Sequence, residues 1–198
     1  MDRIFKQLGI SCKYYLAEHH TKGGLYGCFD SHIKVWKKFF RNDSDYLVIF
    51  EDDLEVPSNL SPQEFRRIIQ AGPSLLKKYD IVHYGRQIHD ICGVVAEIPG
   101  YQFYEGTCVQ SHFYIISKNF QKKASLLKPY LSEGISVDEA IKDKCKQVFL
   151  YPNVFPQRDM NDSDITTNKF LLLRRKYEKY CARPIEFYQT HFKFFSTN

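Results

Sequence analysis

The sequence predicts one α/β domain whose central sheet is largely parallel. Short β-prone runs alternate along the chain with segments that have the apolar spacing and the N-cap residues of helices. The run Tyr46–Phe50 is continuously apolar, which is typical of a strand buried on both faces of a parallel or mixed sheet. With 198 residues, 43% of them hydrophobic, the chain can bury one sizeable core.

Spacing and capping residues define the predicted elements of the first half. A helix is predicted over 31–40, with Ser31 as its N-cap, and the strand over 46–50 follows it. Ser61-Pro62-Gln63-Glu64 then supplies an N-cap, a proline at the first helical position and a capping-box glutamate. The helix that begins there is predicted to run toward Lys78, and Gly72-Pro73 can interrupt it.

The second half of the chain continues the alternation. Strands are predicted over 80–84, 112–117 and 148–151, helices over 120–127, from Ser136 to about Lys146 and over 167–180, and a hairpin or irregular loop over 91–104. An aromatic tail follows the last helix. Because helices separate most of the predicted strands, the pattern favours parallel strands in one sheet.

Composition narrows the classes of partner and compartment. The net charge is +5 and the positive residues form only short runs, whereas a dedicated nucleic-acid binder usually carries a stronger basic stripe. No apolar run approaches the roughly 20 residues that cross a bilayer, and the N-terminus lacks a secretory signal. The six cysteines form no CxxC pair, so they indicate neither a zinc site nor a disulfide framework, although their even number leaves disulfides open. We therefore expect a cytoplasmic protein with no nucleic-acid partner and no transmembrane segment.

The triplet Glu51-Asp52-Asp53 directly follows the predicted strand over 46–50. Open α/β sheets bind ligands at the carboxyl ends of their strands, and packed carboxylates are costly to bury without a counter-cation. Carboxylate oxygens suit Mn²⁺ or Mg²⁺. In an extended backbone, Glu51 and Asp53 would face one side and Asp52 the other. Two interpretations remain open from these residues, a divalent-cation site and a solvated acidic turn.

Several short motifs occur along the chain in a characteristic order. They are Gly27-Cys28, Ser31-His32, Glu51-Asp52-Asp53, Tyr79–Gly85, Tyr114–Lys118, Val137-Asp138-Glu139, and Tyr151-Pro152 followed by Gln157 and Ser163-Asp164-Ile165. Over roughly residues 3–165 this series resembles glycosyltransferase family 25. The family includes bacterial lipo-oligosaccharide galactosyltransferases and the transferases that glycosylate hydroxylysine in collagen.

The resemblance implies a GT-A type fold and a metal-dependent, inverting glycosyltransferase. Such an enzyme would move a hexose, galactose or glucose, from a UDP-sugar to a hydroxyl of a glycan or protein acceptor. The implied transferase domain covers 1–165, and 166–198 would form a helix and an aromatic tail packed on it. Family members usually open with a strand that carries an Arg-containing segment. That strand has no counterpart here, so the resemblance predicts a sheet without its first strand and an incomplete donor pocket.

The resemblance also assigns roles to individual residues. Asp53 is the first candidate for contact with Mn²⁺ (or Mg²⁺), together with Glu51 and Gln157. The candidates for donor binding are Gly27, Ser31, His32, Glu51 and Asp52. Asp138 is the candidate base that deprotonates the acceptor hydroxyl. An alternative remains open for Asp138, because an acid in the first turn of a helix also stabilises the helix dipole.

Three other functions remain open at this stage. The chain could be a degenerate family member that binds glycans or partners without turnover. It could be a phosphoryl-transfer or nuclease-type metal enzyme, which would act on phosphodiesters without a sugar nucleotide. Binding of nucleic acid through the basic runs would show an affinity that falls steeply with salt.

Overall fold

The computed structural model describes residues 2–157 of the chain. Four predicted features lie outside the described residues: the helix over 167–180, the aromatic tail, Ser163-Asp164-Ile165 and the domain boundary at 165. The elements are helices α1 (Asp2–Leu8), α2 (Gly24–Phe40), α3 (Pro62–Leu75), α4 (Phe120–Ser132) and α5 (Val137–Lys144), and strands β1 (Tyr46–Phe50), β2 (Ile81–Ile98), β3 (Tyr101–Ser117) and β4 (Gln147–Tyr151).

The sheet is mostly antiparallel, so the prediction of a largely parallel sheet is wrong for the described strands. The strand order is β1-β3-β2-β4. Strand β3 runs antiparallel to β1, β2 and β4, and only β2 and β4 pair in parallel. The reason is a tight turn at Pro99-Gly100, where Gly100 has a φ of 82°. The chain therefore returns at once as β3, which inserts between β1 and β2.

The two long strands each contribute to the sheet twice. The first residues of β2, Ile81–His83, pair with one side of β4, and residues 102–105 of β3 pair with its other side. Across the sheet the order is therefore β1, the end of β3, the start of β2, β4, the start of β3 and the end of β2. As a result, the carboxyl ends of β1 and β4 and the turn at 99–100 lie along one edge.

Helices cover both faces of the sheet, which confirms the α/β class. Successive strand residues point to opposite faces. Ile115 accordingly packs in a cluster with Phe65 of α3, whereas Ile116 packs with Trp36 of α2 and Ile141 of α5. Among residues 2–157, no helix is both long and apolar enough to cross a bilayer.

The capping predictions are confirmed for two helices and wrong for a third. Ser61 caps α3 and accepts a hydrogen bond from Glu64 N at 3.1 Å, and Ser136 caps α5 in the same way, from Glu139 N at 3.2 Å. Helix α3 continues through Pro73 to Leu75. Helix α2 begins at Gly24, after Gly23 with a φ of 99°, and Ser31 therefore lies inside the helix and is not its N-cap.

We expect Gly72→Ala to destabilise the protein although alanine favours helices by about 1 kcal/mol over glycine. An added Cβ at Gly72 would lie 2.0 Å from the Tyr84 hydroxyl oxygen and 3.2 Å from Ile115 Cγ2. Tyr84 is fully buried and its hydroxyl donates to Ile69 O at 3.0 Å, so it has no room to move. The free energy of unfolding, measured in urea, should fall by about 1–3 kcal/mol.

Gly93→Ala is the matched control for this substitution. An added Cβ at Gly93 meets nothing within 4 Å, and the change in the free energy of unfolding should stay within about 0.5 kcal/mol. If Gly72→Ala were as stable as the wild type, the packing of α3 against Tyr84 would be looser than described.

Candidate functional site

The acidic triplet lies at the carboxyl end of β1, where the chain turns. Glu51 N donates to His112 O at 2.8 Å, and Leu54 N donates to Glu51 O at 3.3 Å. This turn replaces the extended backbone on which the predicted alternation depended. Asp52 is exposed, whereas Glu51 and Asp53 are half-buried.

A later segment of the chain packs directly against this turn. Leu54 forms an antiparallel bridge with Gln157, and Glu55 N donates to Pro156 O at 2.9 Å. The Gln157 side-chain Nε2 donates to Asp53 Oδ2, although the two residues are 104 positions apart. The structure thus brings together Asp53 and Gln157, two of the three residues predicted as metal ligands.

Two oxygen atoms of this pair have no hydrogen-bond partner among residues 2–157. They are Asp53 Oδ1 and Gln157 Oε1, and both are buried. Leaving a buried polar atom without a partner costs about 1–3 kcal/mol, and more for a charged group. A carboxylate oxygen and an amide oxygen are hard metal ligands of the kind that Mn²⁺ and Mg²⁺ prefer. These two side chains therefore fit a hard divalent cation.

Glu51 contacts α2 through His32. His32 Nε2 lies 3.0 Å from Glu51 Oε1, and His32 Nδ1 lies 2.7 Å from the Tyr114 hydroxyl, which accepts from Trp36 Nε1 at 2.9 Å. When His32 is protonated, both ring nitrogens donate, Nδ1–H to the Tyr114 hydroxyl oxygen and Nε2–H to the Glu51 carboxylate. Glu51 is therefore held toward the helix, whereas Asp53 is held by Gln157.

The acids of the site influence one another electrostatically. Burial raises the pKa of Glu51, contact with His32 lowers it, and the negative charges of Asp138 and Asp53 raise it further. Burial lowers the pKa of His32, but its neighbours outweigh burial and raise that pKa well above its usual range. The neighbours that raise the pKa of His32 are Tyr114, Cys28 and Glu51, and burial raises the pKa of Tyr114 itself to about 12.

Asp138 acts electrostatically on Glu51 from α5. It lies half-buried in the first turn of α5, and its charge raises the pKa of both Glu51 and Cys108. The next residue, Glu139, is exposed and forms an ion pair with Lys142. Carboxylates from the turn after β1 and from α5 therefore interact electrostatically.

Two predicted donor-binding residues pack inside α2. Gly27 is buried, and a Cβ there would approach His20 Cβ at 3.4 Å. The Ser31 hydroxyl donates to Gly27 O at 2.7 Å. The structure thus gives both residues a local packing role, and their contact with a donor stays a prediction. Asp52, by contrast, is exposed at the turn.

Arg86 is a buried charge that the sequence analysis did not assign to the site. It is 2% exposed, its Nη2 donates to Leu150 O, and its guanidinium lies 4.6 Å from the centre of the Phe149 ring. Its charge acts on Cys108, as the charge of Asp138 does. A strand that ended at Gly85 would have left Arg86 in a loop. Because β2 continues through irregular pairing at Gly85, the structure buries Arg86.

Burial of His83 predicts a pH dependence of stability. Burial, and then the charges of Arg86 and His112, lower the pKa of His83 to about 3 from 6.5. The unfolded chain therefore takes up a proton near pH 6.5, whereas the folded chain does so only near pH 3. The stability due to neutral His83 is full above pH 6.5 and decreases as the pH falls toward 3, by about 1.4 kcal/mol per pH unit.

Urea unfolding at pH 7, 6, 5 and 4 measures this slope. His83→Gln should remove the His83 contribution from the slope, whatever the stability of this variant at pH 7. His89→Gln, at an exposed position, should leave the slope unchanged. Equal slopes in the wild type and His83→Gln would contradict the assigned pKa of His83.

A cavity of about 390 Å³ lies along the same edge of the sheet, between the turn at 99–100 and the end of β4. Its lining combines the half-buried rings of Tyr101 and Tyr151 with the polar side chains of Glu97 and Gln102. Gln102 Nε2 donates to Glu97 Oε1 at 2.8 Å. Aromatic rings beside hydrogen-bonding groups suit a ligand that has both apolar faces and hydroxyl groups.

Comparison with known protein families supports one class of function. The model of glycosyltransferase family 25 (LPS biosynthesis protein) matches residues 7–86. This match confirms the family resemblance and supports glycosyltransferase activity. The matched segment contains His32 and the acidic triplet and ends at Arg86, whereas Asp138 and Gln157 lie beyond it. No curated protein matches the sequence.

Proposed function

Because residues 7–86 match glycosyltransferase family 25, we propose that this protein transfers a hexose from a UDP-sugar to a hydroxyl group. The hexose is galactose or glucose, the acceptor is a glycan or a protein, and the reaction is inverting and depends on Mn²⁺ or Mg²⁺. The observation that carries the proposal is the pair of buried oxygens, Asp53 Oδ1 and Gln157 Oε1, beside the carboxylates of Glu51 and Asp138.

Asp53 and Gln157 would hold the divalent cation, with Glu51 as the third predicted ligand. When bound, such a cation neutralises the negative charge that develops on a nucleoside-diphosphate leaving group. Asp52 is exposed beside these residues and would contact the donor. His32 would hold the Glu51 carboxylate in place, since its Nε2 lies 3.0 Å from Oε1.

Asp138 would act as the base that accepts the proton of the acceptor hydroxyl. It belongs to α5, whereas the cation ligands belong to the turn after β1 and to the segment that ends at Gln157. The base and the cation ligands therefore come from different elements, and an inverting displacement would need them on opposite sides of the reacting carbon.

The cavity between Tyr101 and Tyr151 would bind a part of the acceptor away from its reacting hydroxyl. Strands β1 and β4 are separated by the end of β3 and the start of β2. Three strand spacings of about 4.8 Å therefore place the cavity roughly 14 Å from the acidic triplet. At that distance a sugar unit in the cavity would be connected to the reacting unit through the glycan chain.

A GT-A type arrangement of the sheet fits this proposal. Strands β1, the first half of β2, and β4 run in the same direction, with the antiparallel β3 between the first two. Their carboxyl ends lie at one edge, where α/β folds bind nucleotides.

A thermal-shift screen tests the donor site without knowledge of the acceptor. The melting temperature should rise with UDP-galactose or UDP-glucose when Mn²⁺ is present, and much less with either component alone. A ligand concentration of 100 times Kd stabilises a protein by about 2.7 kcal/mol, which gives a measurable shift of the melting temperature. GDP-mannose serves as the control nucleotide sugar.

The screen also separates the other functions. Absence of any metal-dependent binding of UDP-sugars would overturn the proposed function. Binding of a UDP-sugar without hydrolysis or transfer would favour a degenerate family member. Activity on phosphodiesters without a sugar nucleotide would favour a phosphoryl-transfer enzyme.

A further inference from the structure

A second group of ligand atoms lies between α2 and the end of β1. Cys28 and His32 are four positions apart on α2, and Glu51, which directly follows β1, contacts His32. The Cys28 Sγ, a His32 ring nitrogen and a Glu51 carboxylate oxygen all lie within 4.8 Å of one another. The Cys28 thiol is in no disulfide. We propose that these three side chains form a binding site for a borderline-soft divalent cation such as Zn²⁺.

The chemistry of the donors selects the class of cation. A thiolate, an imidazole and a carboxylate are together the ligands of Zn²⁺ and Co²⁺, whereas Mg²⁺ and Mn²⁺ prefer oxygen alone. Three protein ligands leave the fourth tetrahedral position for water or another ligand. The site is therefore chemically distinct from the oxygen pair of Asp53 and Gln157.

The distances are compatible with a tetrahedral centre. With Zn–N and Zn–O of about 2.0 Å and Zn–S of about 2.3 Å, neighbouring ligand atoms lie about 3.3–3.6 Å apart. His32 Nε2 and Glu51 Oε1 are already 3.0 Å apart. The remaining separations are at most 4.8 Å, so side-chain movements of about 1 Å close the site around a cation.

Surrounding contacts orient the proposed ligands. Metal-binding histidines almost always donate their other ring N–H to a neighbouring acceptor. Here His32 Nδ1 lies 2.7 Å from the Tyr114 hydroxyl. Trp36 Nε1 positions this hydroxyl by donating a hydrogen bond of 2.9 Å to it. In the cation-bound form Nδ1–H would donate to Tyr114, leaving the Nε2 lone pair for the cation. The backbone of Glu51 is fixed by its bond to His112 O.

Occupation of this site would affect the proposed reaction through Glu51. A cation bound with Cys28 and His32 would take Glu51 from the hard-cation site beside Asp53. Zn²⁺ should then inhibit Mn²⁺-dependent transfer, and this consequence rests on the proposed function. Binding of the soft cation does not rest on it, and is tested separately.

Titration of the purified full chain with Co²⁺ tests the site directly. Co²⁺ bound to a thiolate gives a sulfur-to-metal charge-transfer absorption in the near ultraviolet, and excess Zn²⁺ should remove it. Cys28→Ser should abolish this band or weaken the Co²⁺ affinity at least tenfold. Two variants should keep the band. One is Cys92→Ser, which removes an exposed thiol, and the other is Asp53→Asn, which removes a ligand of the hard-cation site.

A second measurement uses the wild-type chain alone. Zn²⁺ should slow alkylation of Cys28 by iodoacetamide at least tenfold, as read by peptide mass spectrometry, while Mn²⁺ should not and Cys92 should react at an unchanged rate. The proposal is overturned if Cys28 reacts equally fast with and without Zn²⁺, or if a folded Cys28→Ser variant gives the wild-type charge-transfer band. Loss of the band in a folded Asp53→Asn variant would likewise place the soft cation elsewhere.

Discussion

Asp53→Asn is expected to lower the Mn²⁺-dependent turnover of a UDP-hexose by about a thousandfold. The asparagine oxygen can still accept the hydrogen bond from Gln157 Nε2, so the local packing is kept. In the variant an NH₂ group would replace Asp53 Oδ1, the oxygen that has no partner among the described residues. The substitution therefore removes the charged ligand. A loss of about 4 kcal/mol in charge stabilisation corresponds to that factor in kcat.

Steady-state kinetics over a range of Mn²⁺ concentrations measure this effect. The apparent affinity for Mn²⁺ should fall together with kcat, because the same side chain serves both. Asp45→Asn is the matched control, since it removes the same charge at an exposed position before β1 and should keep turnover within about twofold. If Asp53→Asn keeps turnover within tenfold of the wild type, Asp53 is not the main ligand.

Asp138→Asn is expected to lower kcat by about 10²–10⁴-fold while UDP-sugar binding stays nearly unchanged. Its carboxylate would accept the proton of the acceptor hydroxyl, and an amide cannot. Because Ser136 caps α5 through Glu139 N, the helix does not depend on Asp138 for its start.

Glu139→Gln separates catalysis by Asp138 from stabilisation of the helix. Glu139 lies in the same first turn but is exposed, so it shares the interaction with the helix dipole and not the site. Each substitution should cost about 0.3–1 kcal/mol of unfolding free energy through the dipole. Equal kcat values in the two variants would assign Asp138 to the helix dipole alone.

The sequence was most informative where a few neighbouring residues decide the structure. Ser61 and Ser136 cap their helices as predicted, because the bonds they accept come from backbone groups three residues away. The strand over Tyr46–Phe50 has the predicted bounds. The same local reasoning was wrong at Ser31, because the apolar spacing after it concealed a helix that already begins at Gly24.

That earlier start also explains why the Cys28 site was missed. The cysteines form no CxxC pair, and the helix was predicted to begin at Ser31, so Cys28 lay outside it. With the helix beginning at Gly24, Cys28 and His32 lie one turn apart on the same helix. Glu51 completes the group, but its position opposite α2 depends on how the helix packs on the sheet.

The sequence by itself determined the α/β class, the two helices capped by Ser61 and Ser136 and the strand that carries the acidic triplet, and through the family resemblance it predicted the residues of the candidate site. Tertiary structure decided whether neighbouring strands run parallel or antiparallel. Strand β3 returns through a tight turn and pairs with strands that are far from it along the chain. Tertiary structure also decided that Gln157 contacts Asp53 and that the charge of Asp138 acts on Glu51. Caps and strands depend on residues within a few positions of one another, whereas these contacts depend on the whole path of the chain between them.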